Sequence, residues 1–573
     1  MENNKHDNNE LLHNLRHSAA HLLAQAVLEI YPDTKITIGP VTEHGFFYDF
    51  LPTKNFKEED LPLIENKMHE IAKRDYKIVG KQVSKDEARK LFKDNKFKLE
   101  LIDGITDETV GIYSQGDFFD LCKGGHVKST GEIKHFKLIA ISGAYWRADR
   151  SGIALQRISG LAFLTDADMQ EYFKKIEEAE QNDHRKIGQQ LGLFTFDDAA
   201  IGFPIFLPKG WTIFNKLMEY ERHVQRGVYE EIRTPLIMNE TLWKTSGHYD
   251  HYRENMYYTK IDDIAHCIKP MNCPGGILVY KNRPRSYREL PIRMSEFGFV
   301  HRHELSGVLH GLFRVRAFTQ DDAHIYCMPE QLEQEIWGVV DLALKTYNKF
   351  GFSKVRMGVA TKPAKAIGSD ELWEKATNAL KSALEKNGVD YFIKEGDGAF
   401  YGPKIDMMIQ DAMGREWQCG TVQVDFFLPQ NFDLKYIASD QSKHTPIMIH
   451  RVLYGSLERF FGILTEHYKG HFPFWLAPVQ ARVLMITDQQ TEYAKTVLAE
   501  LMKNDIRVEL DESGNQISAK IRAAQIDKIP WMIVLGKKEQ ENGTVTLRYN
   551  DGKQEFGLQI EDLLQKAQEL SWV

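Results

Sequence analysis

The sequence predicts a multidomain protein of the α/β and α+β classes, and three observations lead to this prediction. The chain has 573 residues, which is too long for one hydrophobic core and fits three or four domains. Residues 293–326 read as two strands joined by a glycine-containing loop, as in an antiparallel sheet. Residues 481–535 alternate between strand and helix patterns, which indicates a compact α/β domain.

The elements follow in chain order. Apolar residues at helical spacing from Leu11 to Ala26 predict an amphipathic helix over residues 11–30, which ends near Pro32. Near the end of the chain, the pattern predicts strands at 481–486, 506–510 and 531–535 and helices at 492–503 and 517–526. The predicted domains are residues 1–165, a connecting helix at 166–190, a large aromatic-rich domain at 191–475, and a terminal domain at 476–573.

Composition narrows the class of protein. Apolar residues make up 42% and charged residues 27% of the chain, which is typical of a folded protein in water. No apolar run approaches the roughly 20 residues of a membrane span, and the polar first ten residues do not resemble a signal peptide. The five cysteines are scattered and odd in number, which favours free thiols in a reducing cytoplasm. The net charge of −8 leaves a nucleic-acid partner open.

The hairpin at 293–326 carries polar side chains on one face. On the first strand Arg302 and Glu304 are two residues apart and point the same way. The second strand presents a longer set on one face: Arg314, Arg316, Phe318, Gln320, Asp322 and His324. Because the other face is apolar and guanidinium groups suit phosphate, we expect a site for a charged ligand rather than a solvated face.

A second group of candidate residues lies near the start of the chain. His17 and His21 are four residues apart on the predicted helix, so they share a face. Far downstream, the segment DLCKGGH supplies Asp120, Cys122 and His126. Two histidines with a cysteine and a further histidine resemble a zinc site, but spacing alone is equally consistent with a polar face rich in histidine.

The hairpin motif points to a family. The pattern F-x-x-x-HR-x-E, followed by R-x-R-x-F-TQDDAHI, resembles the second signature motif of class II aminoacyl-tRNA synthetases in its threonyl-tRNA synthetase version. The segment WTIFNKLMEYERHVQRGVYEEIRTP resembles the first motif, which forms the dimer interface, so the resemblance implies a homodimer. It covers nearly the whole chain and implies an α+β editing domain, an antiparallel-sheet catalytic domain and an α/β anticodon-binding domain. Neither a GxxxxGK[ST] loop nor a Rossmann-type synthetase motif pair is present.

The resemblance also implies a metal. Cys273, His324 and His450 are far apart in sequence, and no spacing rule groups them. In threonyl-tRNA synthetases these positions hold one zinc ion per subunit. Three protein ligands leave coordination positions open, which the amino group and hydroxyl of L-threonine would fill. The residues expected to orient threonine are Gln320, Asp322 and Tyr401.

For ATP, the resemblance assigns Arg302 to the α-phosphate and the carboxylate of the amino acid, and Glu304 to the adenine amino group. Arg314 and Arg459, the last residue of GSLER, would hold the β- and γ-phosphates, with Mg²⁺ on the phosphates. Further residues expected around ATP and the terminal ribose of tRNA are Lys404, Gln418, Thr421, Gln423 and His248, the last as the residue that helps to deprotonate the ribose hydroxyl.

A threonine site of this kind predicts an editing site. Serine also offers a hydroxyl and lacks only one methyl group, which discriminates by about 1–3 kcal/mol. HSAAHLL with C-x-G-x-H resembles the editing domain shared by threonyl- and alanyl-tRNA synthetases, which hydrolyses seryl-tRNA without a required metal. The residues carried over are His17, His21, Lys98, Asp120, Cys122 and His126. Two motifs depart from the family, with C-K-G-G-H in place of C-R-G-P-H and N-C-P-G-G in place of N-C-P-G-H.

The terminal domain resembles the anticodon-binding domain of the threonyl, prolyl, histidyl and glycyl enzymes. Arg522, Glu539 and Arg548 fall where that family reads anticodon bases, so tRNA(Thr) is the expected partner. Bacterial threonyl enzymes usually begin with a ubiquitin-like module. Only a short polar segment precedes the first predicted helix, so a form without that module is expected.

Four hypotheses remain open from the sequence. The first is a threonine–tRNA ligase that also hydrolyses seryl-tRNA. The second is a related class II synthetase for proline or serine. The third is an RNA-binding regulator with a decayed active site, and the fourth is a zinc hydrolase centred on His17, His21, Cys122 and His126.

Overall fold

The computed structural model describes residues 2–149 and 152–572, and it describes no side chains for residues 2–7 and 148. The chain forms two compact units, Met1–Glu178 and Ala179–Val573. None of the helices within the described residues has both the length and the apolar character needed to cross a bilayer.

The first unit is α+β. Its helices are α1 (Glu2–Ile30), α2 (Leu61–Lys73), α3 (Lys85–Leu91), α4 (Lys96–Gly104) and most of α5 (Asp166–Gln181), which continues past Glu178 into the second unit. Its strands are β1 (Lys35–Ile36), β2 (Gly45–Leu51), β3 (Ile78–Ser84), β4 (Thr109–Gln115), β5 (Phe118–Leu121), β6 (His135–Tyr145) and β7 (Ala154–Phe163). The strands form two antiparallel sheets, in the orders β1–β2–β7–β6 and β3–β4–β5.

The first helix is longer than the sequence pattern predicts. It begins at Glu2 rather than Leu11, because no glycine or proline interrupts the chain before Pro32. Its apolar residues from Leu15 to Val27 are buried against the larger sheet and α2, whereas Leu11 is exposed. This packing fixes the direction of the side chains of His17 and His21.

The second unit contains a large antiparallel sheet. Its helices up to residue 467 are α6 (His184–Leu191), α7 (Pro208–Gln225), α8 (Glu240–Thr245), α9 (His248–Tyr252), α10 (Cys273–Lys281), α11 (Leu332–Lys349), α12 (Asp370–Glu385), α13 (Phe427–Asn431) and α14 (Leu457–His467). Its strands up to residue 452 are β8 (Phe194–Thr195), β9 (Ile205–Phe206), β10 (Glu230–Glu231), β11 (Ile237–Asn239), β12 (Tyr257–Ile261), β13 (Ile264–Ile268), β14 (Ile292–His301), β15 (Ala317–Cys327), β16 (Val355–Ala360), β17 (Tyr391–Lys394), β18 (Lys404–Gln410), β19 (Glu416–Asp425), β20 (Tyr436–Ile437), β21 (Lys443–His444) and β22 (Ile447–Val452).

Eight strands form the central sheet, in the order β10–β14–β15–β22–β19–β18–β16–β17. Only the two edge pairings, β10 with β14 and β16 with β17, are parallel. One face packs against α6, α7, α11, α12 and α14, and residues such as Ile325 and Ile449 point into that core. Since side chains alternate along a strand, the neighbouring His324 and His450 point to the other face.

The end of the chain confirms the predicted α/β pattern. Its strands are β23 (Ala481–Met485), β24 (Val508–Asp511), β25 (Trp531–Leu535), β26 (Val545–Tyr549) and β27 (Gln554–Leu558). Its helices are α15 (Thr491–Lys503), α16 (Ile517–Ile526), α17 (Lys537–Asn542) and α18 (Ile560–Glu569). The sheet order is β24–β23–β25–β26–β27, with three parallel strands followed by an antiparallel hairpin that the sequence pattern did not reveal.

The hairpin at 293–326 differs from its prediction. Strand β14 ends at His301 and β15 begins at Ala317, so Arg302, Glu304 and Arg314 lie in the connecting loop rather than on strands. The ladder stops there because the next backbone N–H, that of Arg316, donates to Gly202 of another segment. The prediction for the later part of the second strand is correct. Gln320, Asp322 and His324 occupy every second position of β15 and so share one face of the sheet.

The connecting segment at 166–190 also differs, because it forms two helices rather than one. Helix α5 ends at Gln181 and α6 begins at His184. The break is stabilised by Asp183, whose side chain accepts a hydrogen bond from the backbone N–H of Arg185 and so caps α6. The helix pattern alone did not reveal this cap.

Candidate active site

Three potential metal ligands meet on the open face of the central sheet. His324 on β15 and His450 on β22 are directly opposite each other in the antiparallel ladder, and their ring centroids lie 5.0 Å apart. Cys273 is the first residue of α10. One ligand atom from each of the three lies within 4.8 Å of the others, and all three residues are buried. This is the geometry of a site with three protein ligands.

The chemistry of this cluster fits a bound metal. The Nε2 of His324 is buried and has no hydrogen-bond partner, a costly state unless its lone pair binds something. Burial holds the pKa of His324 well below its ordinary value, so the imidazole is neutral and able to coordinate. Burial raises the pKa of the Cys273 thiol well above its usual range, and a cation would favour the thiolate. His450 is oriented by Asp425, which lies 3.0 Å from its Nε2.

A cavity of about 380 Å³ adjoins the cluster. The sequence-predicted residues that line it are Cys273, Arg302, Gln320, Asp322, Tyr401, Lys404, Thr421, Gln423 and His450. The hydroxyl of Tyr401 donates to the side-chain oxygen of Gln423 at 2.9 Å. Burial raises the pKa of Asp322, whose carboxylate accepts a hydrogen bond from Asn272 at 3.1 Å. The cavity therefore joins the predicted threonine residues to the predicted α-phosphate residue.

Arg302 lines this cavity, and the family resemblance assigns it to the α-phosphate of ATP. Its Nε donates to the carbonyl of Pro270 at 3.2 Å, and its guanidinium lies 4.9 Å from the ring of Phe318 and 5.6 Å from that of Tyr252. Two aromatic faces and a backbone carbonyl fix the plane of the guanidinium. The remaining N–H groups can bind an anion in the cavity.

Other predicted ATP residues do not line this cavity. Glu304 and Arg314 pair with each other, with 2.9 Å between Oε2 and NH2. Gln418 donates to the buried carboxylate of Asp406 at 2.8 Å. Arg459 donates to the carbonyl of Phe313 at 3.1 Å, and its Nε is buried without a partner. These residues lie in the loop after β14, on β19 and on α14.

His248 lies beside the cluster rather than at the cavity surface. It is fully buried, and its Nε2 is 3.9 Å from the sulfur of Cys273. Burial is the main cause that lowers its pKa to about 3, so the imidazole is neutral near pH 7. Its Nδ1 lies 2.8 Å from the hydroxyl of Ser246.

Sequence reasoning missed two supporting residues. Asn272 holds Asp322 and directly precedes Cys273, so its place in the N-C-P-G-G motif could have revealed it. Asp425 orients His450 from the end of β19, and only the pairing of β19 with β22 brings the two strands together. No sequence signal could have found the second.

The first unit contains the other predicted cluster. The sulfur of Cys122 lies 3.1 Å from Nε2 of His126 and 3.4 Å from Nε2 of His17. Potential ligand atoms of these three residues and of His21 lie within 4.8 Å of one another. The geometry thus brings together all four residues and fits either a hydrolytic pocket or a metal site.

Electrostatics keeps this cluster uncharged. Burial is the main cause that lowers the pKa of His126 to about 2 and raises that of the Cys122 thiol to about 11. Near pH 7 the pair is therefore a neutral imidazole and a thiol, not an activated thiolate. The pKa of His21 is also lowered well below its ordinary value, chiefly by burial.

A buried ion pair lies next to this cluster of histidines and Cys122. Lys98 and Asp120 lie 2.5 Å apart and are almost completely buried. Tyr48 donates its hydroxyl to the same carboxylate at 2.5 Å, and burial raises the pKa of that tyrosine. His21 lies 4.0 Å from Asp120. Lys98, which the resemblance carried over from a separate segment, is thus connected to His21 through Asp120.

The loop from Cys122 to His126 has its own backbone conformation. Gly125 has a φ of +82°, a value that proline cannot adopt because its ring holds φ near −65°. The C-R-G-P-H form of the family could not follow this backbone path. The replacement of proline by glycine therefore changes the loop and not only its rigidity.

The three residues predicted to contact the anticodon differ in their exposure and in their hydrogen-bond partners. Arg522 is exposed on α16. Glu539 is engaged within the domain, because its carboxylate accepts from the N–H of Gly536 and the hydroxyl of Thr546, each at 2.9 Å. Arg548 is opposite Met532 in the sheet, so it lies on the face that α16 covers, and its Nε is buried without a partner.

The fold and the site together define a class II aminoacyl-tRNA synthetase, and comparison with known proteins agrees. Residues 257–468 match the class II core domain of tRNA synthetases (G, H, P, S and T). Residues 479–570 match an anticodon binding domain, and residues 110–159 match the second additional domain of threonyl and alanyl tRNA synthetases.

Individual relatives show which family of class II synthetases the chain belongs to. The threonine–tRNA ligase of Acetivibrio thermocellus is 52% identical over 97% of this chain and 88% of its own length. That of Thermotoga neapolitana is 53% identical over 94% of this chain and 85% of its own length. The chain belongs to the threonine–tRNA ligase family, which confirms the first of the four hypotheses at the level of the family.

Solved structures agree with this assignment. A structure titled as the RNA binding domain of threonyl-tRNA synthetase from Cryptosporidium parvum is 44% identical, with a TM-score of 0.67 over 68% of this chain and 99% of that one. A threonyl-tRNA synthetase structure from Aeropyrum pernix is 31% identical, with a TM-score of 0.61 over 68% of this chain and 95% of that one.

Proposed function

We propose that the chain activates L-threonine with ATP and transfers it to the 3′ end of tRNA(Thr), and that the site described above performs the activation. The carrying observation is that the ligand atoms of Cys273, His324 and His450 converge beside a cavity that Arg302 lines. In this reaction the carboxylate of threonine attacks the α-phosphate, forming the adenylate and releasing pyrophosphate. The protein must align the two anions and neutralise their charge.

Cys273, His324 and His450 would hold one zinc ion per subunit. When bound, zinc would supply open coordination positions for the amino group and hydroxyl of threonine. Gln320, Asp322 and Tyr401 would orient the substrate from the cavity wall. The buried, unpartnered Nε2 of His324 supports this assignment.

The nucleotide would occupy the rest of the cavity and the adjoining loop, with Mg²⁺ on its phosphates. Arg302 would bind the α-phosphate, and Arg314 and Arg459 would hold the β- and γ-phosphates. Glu304, Gln418 and Thr421 would contact the adenosine after exchanging their present partners. The ion pair between the side chains of Glu304 and Arg314 would have to open when ATP binds, because each group must leave the other to reach the nucleotide.

For transfer to tRNA, Gln423 and Tyr401 would orient the ribose hydroxyl, and both line the cavity. His248, which lies next to Cys273, would help to deprotonate that hydroxyl. Burial lowers the pKa of its imidazole to about 3, which makes it a weak base, so contact with the ribose would have to raise this pKa. Arg522, Glu539 and Arg548 remain proposed anticodon contacts. To reach a base, Glu539 would have to release Gly536 or Thr546, and the buried Nε of Arg548 would have to become accessible.

A homodimer in the cytoplasm is proposed as well. Four large apolar side chains on α7 or close to it in sequence are exposed, as expected of a surface that a second copy covers: Ile201, Ile205, Trp211 and Val228. All five cysteines are free, which supports a reducing compartment. The domain bounds given by the sequence, 1–165, 166–190, 191–475 and 476–573, are retained as proposals.

The activity is tested by amino-acid-dependent exchange of pyrophosphate into ATP. Threonine is expected to support rapid exchange, serine slower exchange, and proline none, because only the first two offer a hydroxyl. Loss of a single methyl contact predicts that serine is about 10- to 200-fold less efficient than threonine. Exchange with proline but not with threonine would contradict the proposal.

The first unit is proposed to hydrolyse mischarged seryl-tRNA. The neutral histidines at 17, 21 and 126 would position the terminal ribose and a water molecule, and the Lys98–Asp120 pair would hold them in place. Since Cys122 is a thiol near pH 7, it would act by contact rather than as a nucleophile.

The double variant Cys122→Ala with His126→Ala tests this role. It is expected to accumulate seryl-tRNA when serine is supplied, while threonine-dependent exchange stays at the parental rate, because the activation site lies in the other unit. His135→Ala, a histidine on β6 outside the cluster, serves as the matched control. Serine mischarging at the parental level in the double variant would refute the editing assignment.

A further inference from the structure

The loop between β14 and β15, residues 302–316, is hydrogen-bonded to a buried histidine that has no role in the proposed function. His184 is the first residue of α6, and its side chain is completely buried. The backbone N–H of Leu312, near the tip of the loop, donates to the Nε2 of His184 at 2.9 Å. The tip is thus attached to the core through one side chain.

The partners of His184 fix its tautomer. A backbone N–H can only donate, so the Nε2 that receives it carries a lone pair. The hydrogen is therefore on Nδ1, which donates to the carboxylate of Glu466 on α14 at 2.7 Å. The second oxygen of that carboxylate accepts from Arg415 at 2.5 Å. Both ends of the imidazole are engaged, so its orientation is fixed.

The same part of the loop contacts Arg459, which is predicted to bind a phosphate group of ATP. The ring of Phe313 packs between His184, at 4.1 Å between centroids, and Trp417, at 4.5 Å. Arg459 donates to the carbonyl of Phe313 at 3.1 Å and lies 5.5 Å from the ring of Trp417. A displacement of the loop tip would therefore displace Arg459 as well.

The loop approaches His184 too closely for a larger residue at its tip. Gly311 has a φ of +47°, and a β-carbon added there would overlap the Nε2 of His184. The close approach and the hydrogen bond from Leu312 are separate signs that this loop is docked on the imidazole.

We propose that His184 is a positioning residue for ATP: its neutral imidazole fixes the tip of the 302–316 loop and so places Arg314 and Arg459 for the β- and γ-phosphates. This inference rests on the proposed ATP roles of those two arginines. His184 touches no substrate in this assignment and acts through the loop.

Two substitutions separate positioning from simple structural support. In His184→Asn the amide group takes the place of Nδ1 and can contact Glu466 but not Leu312. In His184→Gln the amide oxygen reaches the position of Nε2 and can accept from Leu312. We expect His184→Asn to raise the KM for ATP about tenfold, the equivalent of one lost buried hydrogen bond, with the KM for threonine unchanged, and His184→Gln to restore it.

The readouts are pyrophosphate exchange, thermal unfolding, and hydrogen–deuterium exchange of the 302–316 loop. The loop is expected to lose amide protection in His184→Asn and to keep it in His184→Gln. Equal effects of both variants on unfolding and on the KM for ATP would show a merely structural role and overturn the proposal. Gly311→Ala provides a test from the loop side, because its methyl overlaps His184 and displaces the tip while His184 itself is kept, and it should also raise the KM for ATP.

Arg459→Ala distinguishes failure of this inference from failure of the proposed ATP site. If Arg459→Ala raises the KM for ATP while His184→Asn and Gly311→Ala do not, the positioning role is wrong and the ATP site stands. If Arg459→Ala has no effect on the KM for ATP, the ATP assignment itself is wrong, and the role of His184 is rejected with it.

Discussion

Replacement of Cys273 by alanine is expected to remove the bound zinc and to abolish threonine-dependent pyrophosphate exchange. Only His324 and His450 would remain as ligands, and two imidazoles do not hold zinc firmly in a site that must keep positions open. Loss of a supporting contact alone costs about 10- to 100-fold in metal sites, so loss of a ligand should exceed about a hundredfold. Metal content per subunit is measured together with the exchange rate.

Cys267→Ala is the matched control. Cys267 is equally buried, on β13, and packs against Met238, Trp243 and Met256 instead of facing the cluster. It should keep both zinc and exchange activity. If zinc stays bound in Cys273→Ala, the metal belongs to the cluster of His17, His21, Cys122 and His126, and the proposed zinc site of the second unit is wrong.

Replacement of Arg302 by alanine is expected to lower kcat for threonine-dependent exchange by about 10²–10³, the usual cost of removing one preorganised group that stabilises developing charge. Zinc content should not change, because Arg302 is not among the ligands. Arg302→Lys should recover little activity, since a single ammonium cannot bridge the phosphate and the carboxylate as a planar guanidinium does.

Arg356→Ala is the control for this effect. Arg356 lies on β16 of the same sheet, is exposed, and pairs with Glu416 at 2.8 Å. Its loss removes one surface ion pair, worth about 0–1 kcal/mol. Exchange at the parental rate in Arg302→Ala, with the control also unaffected, would show that the α-phosphate binds elsewhere.

Local patterns predicted much of the fold. The terminal strands and helices agree with the structure nearly residue for residue, because period-2 and helical patterns are local properties of the chain. The two main errors have a common cause. Periodicity predicts a strand after His301 and one helix at residues 166–190, because it does not detect a hydrogen bond to Gly202 or a cap at Asp183.

Sequence spacing also predicted one part of the candidate sites and missed another. Spacing grouped His17 with His21, and Cys122 with His126, since each pair lies close in sequence. It could not group Cys273 with His324 and His450, which only the family resemblance joined. Nor could it find Asp425 behind His450 or His184 behind Leu312, because both contacts join distant parts of the chain.

The sequence by itself determined the motifs, the family and the residue types available for chemistry. The tertiary structure alone decided which residues meet. His324 faces His450 because β15 pairs with β22 in one register, and a shift of one residue would turn either side chain to the opposite face. Strand order and register depend on packing across the whole domain, so the cavity, the unpartnered Nε2 of His324 and the docked loop on His184 appear only in the folded chain.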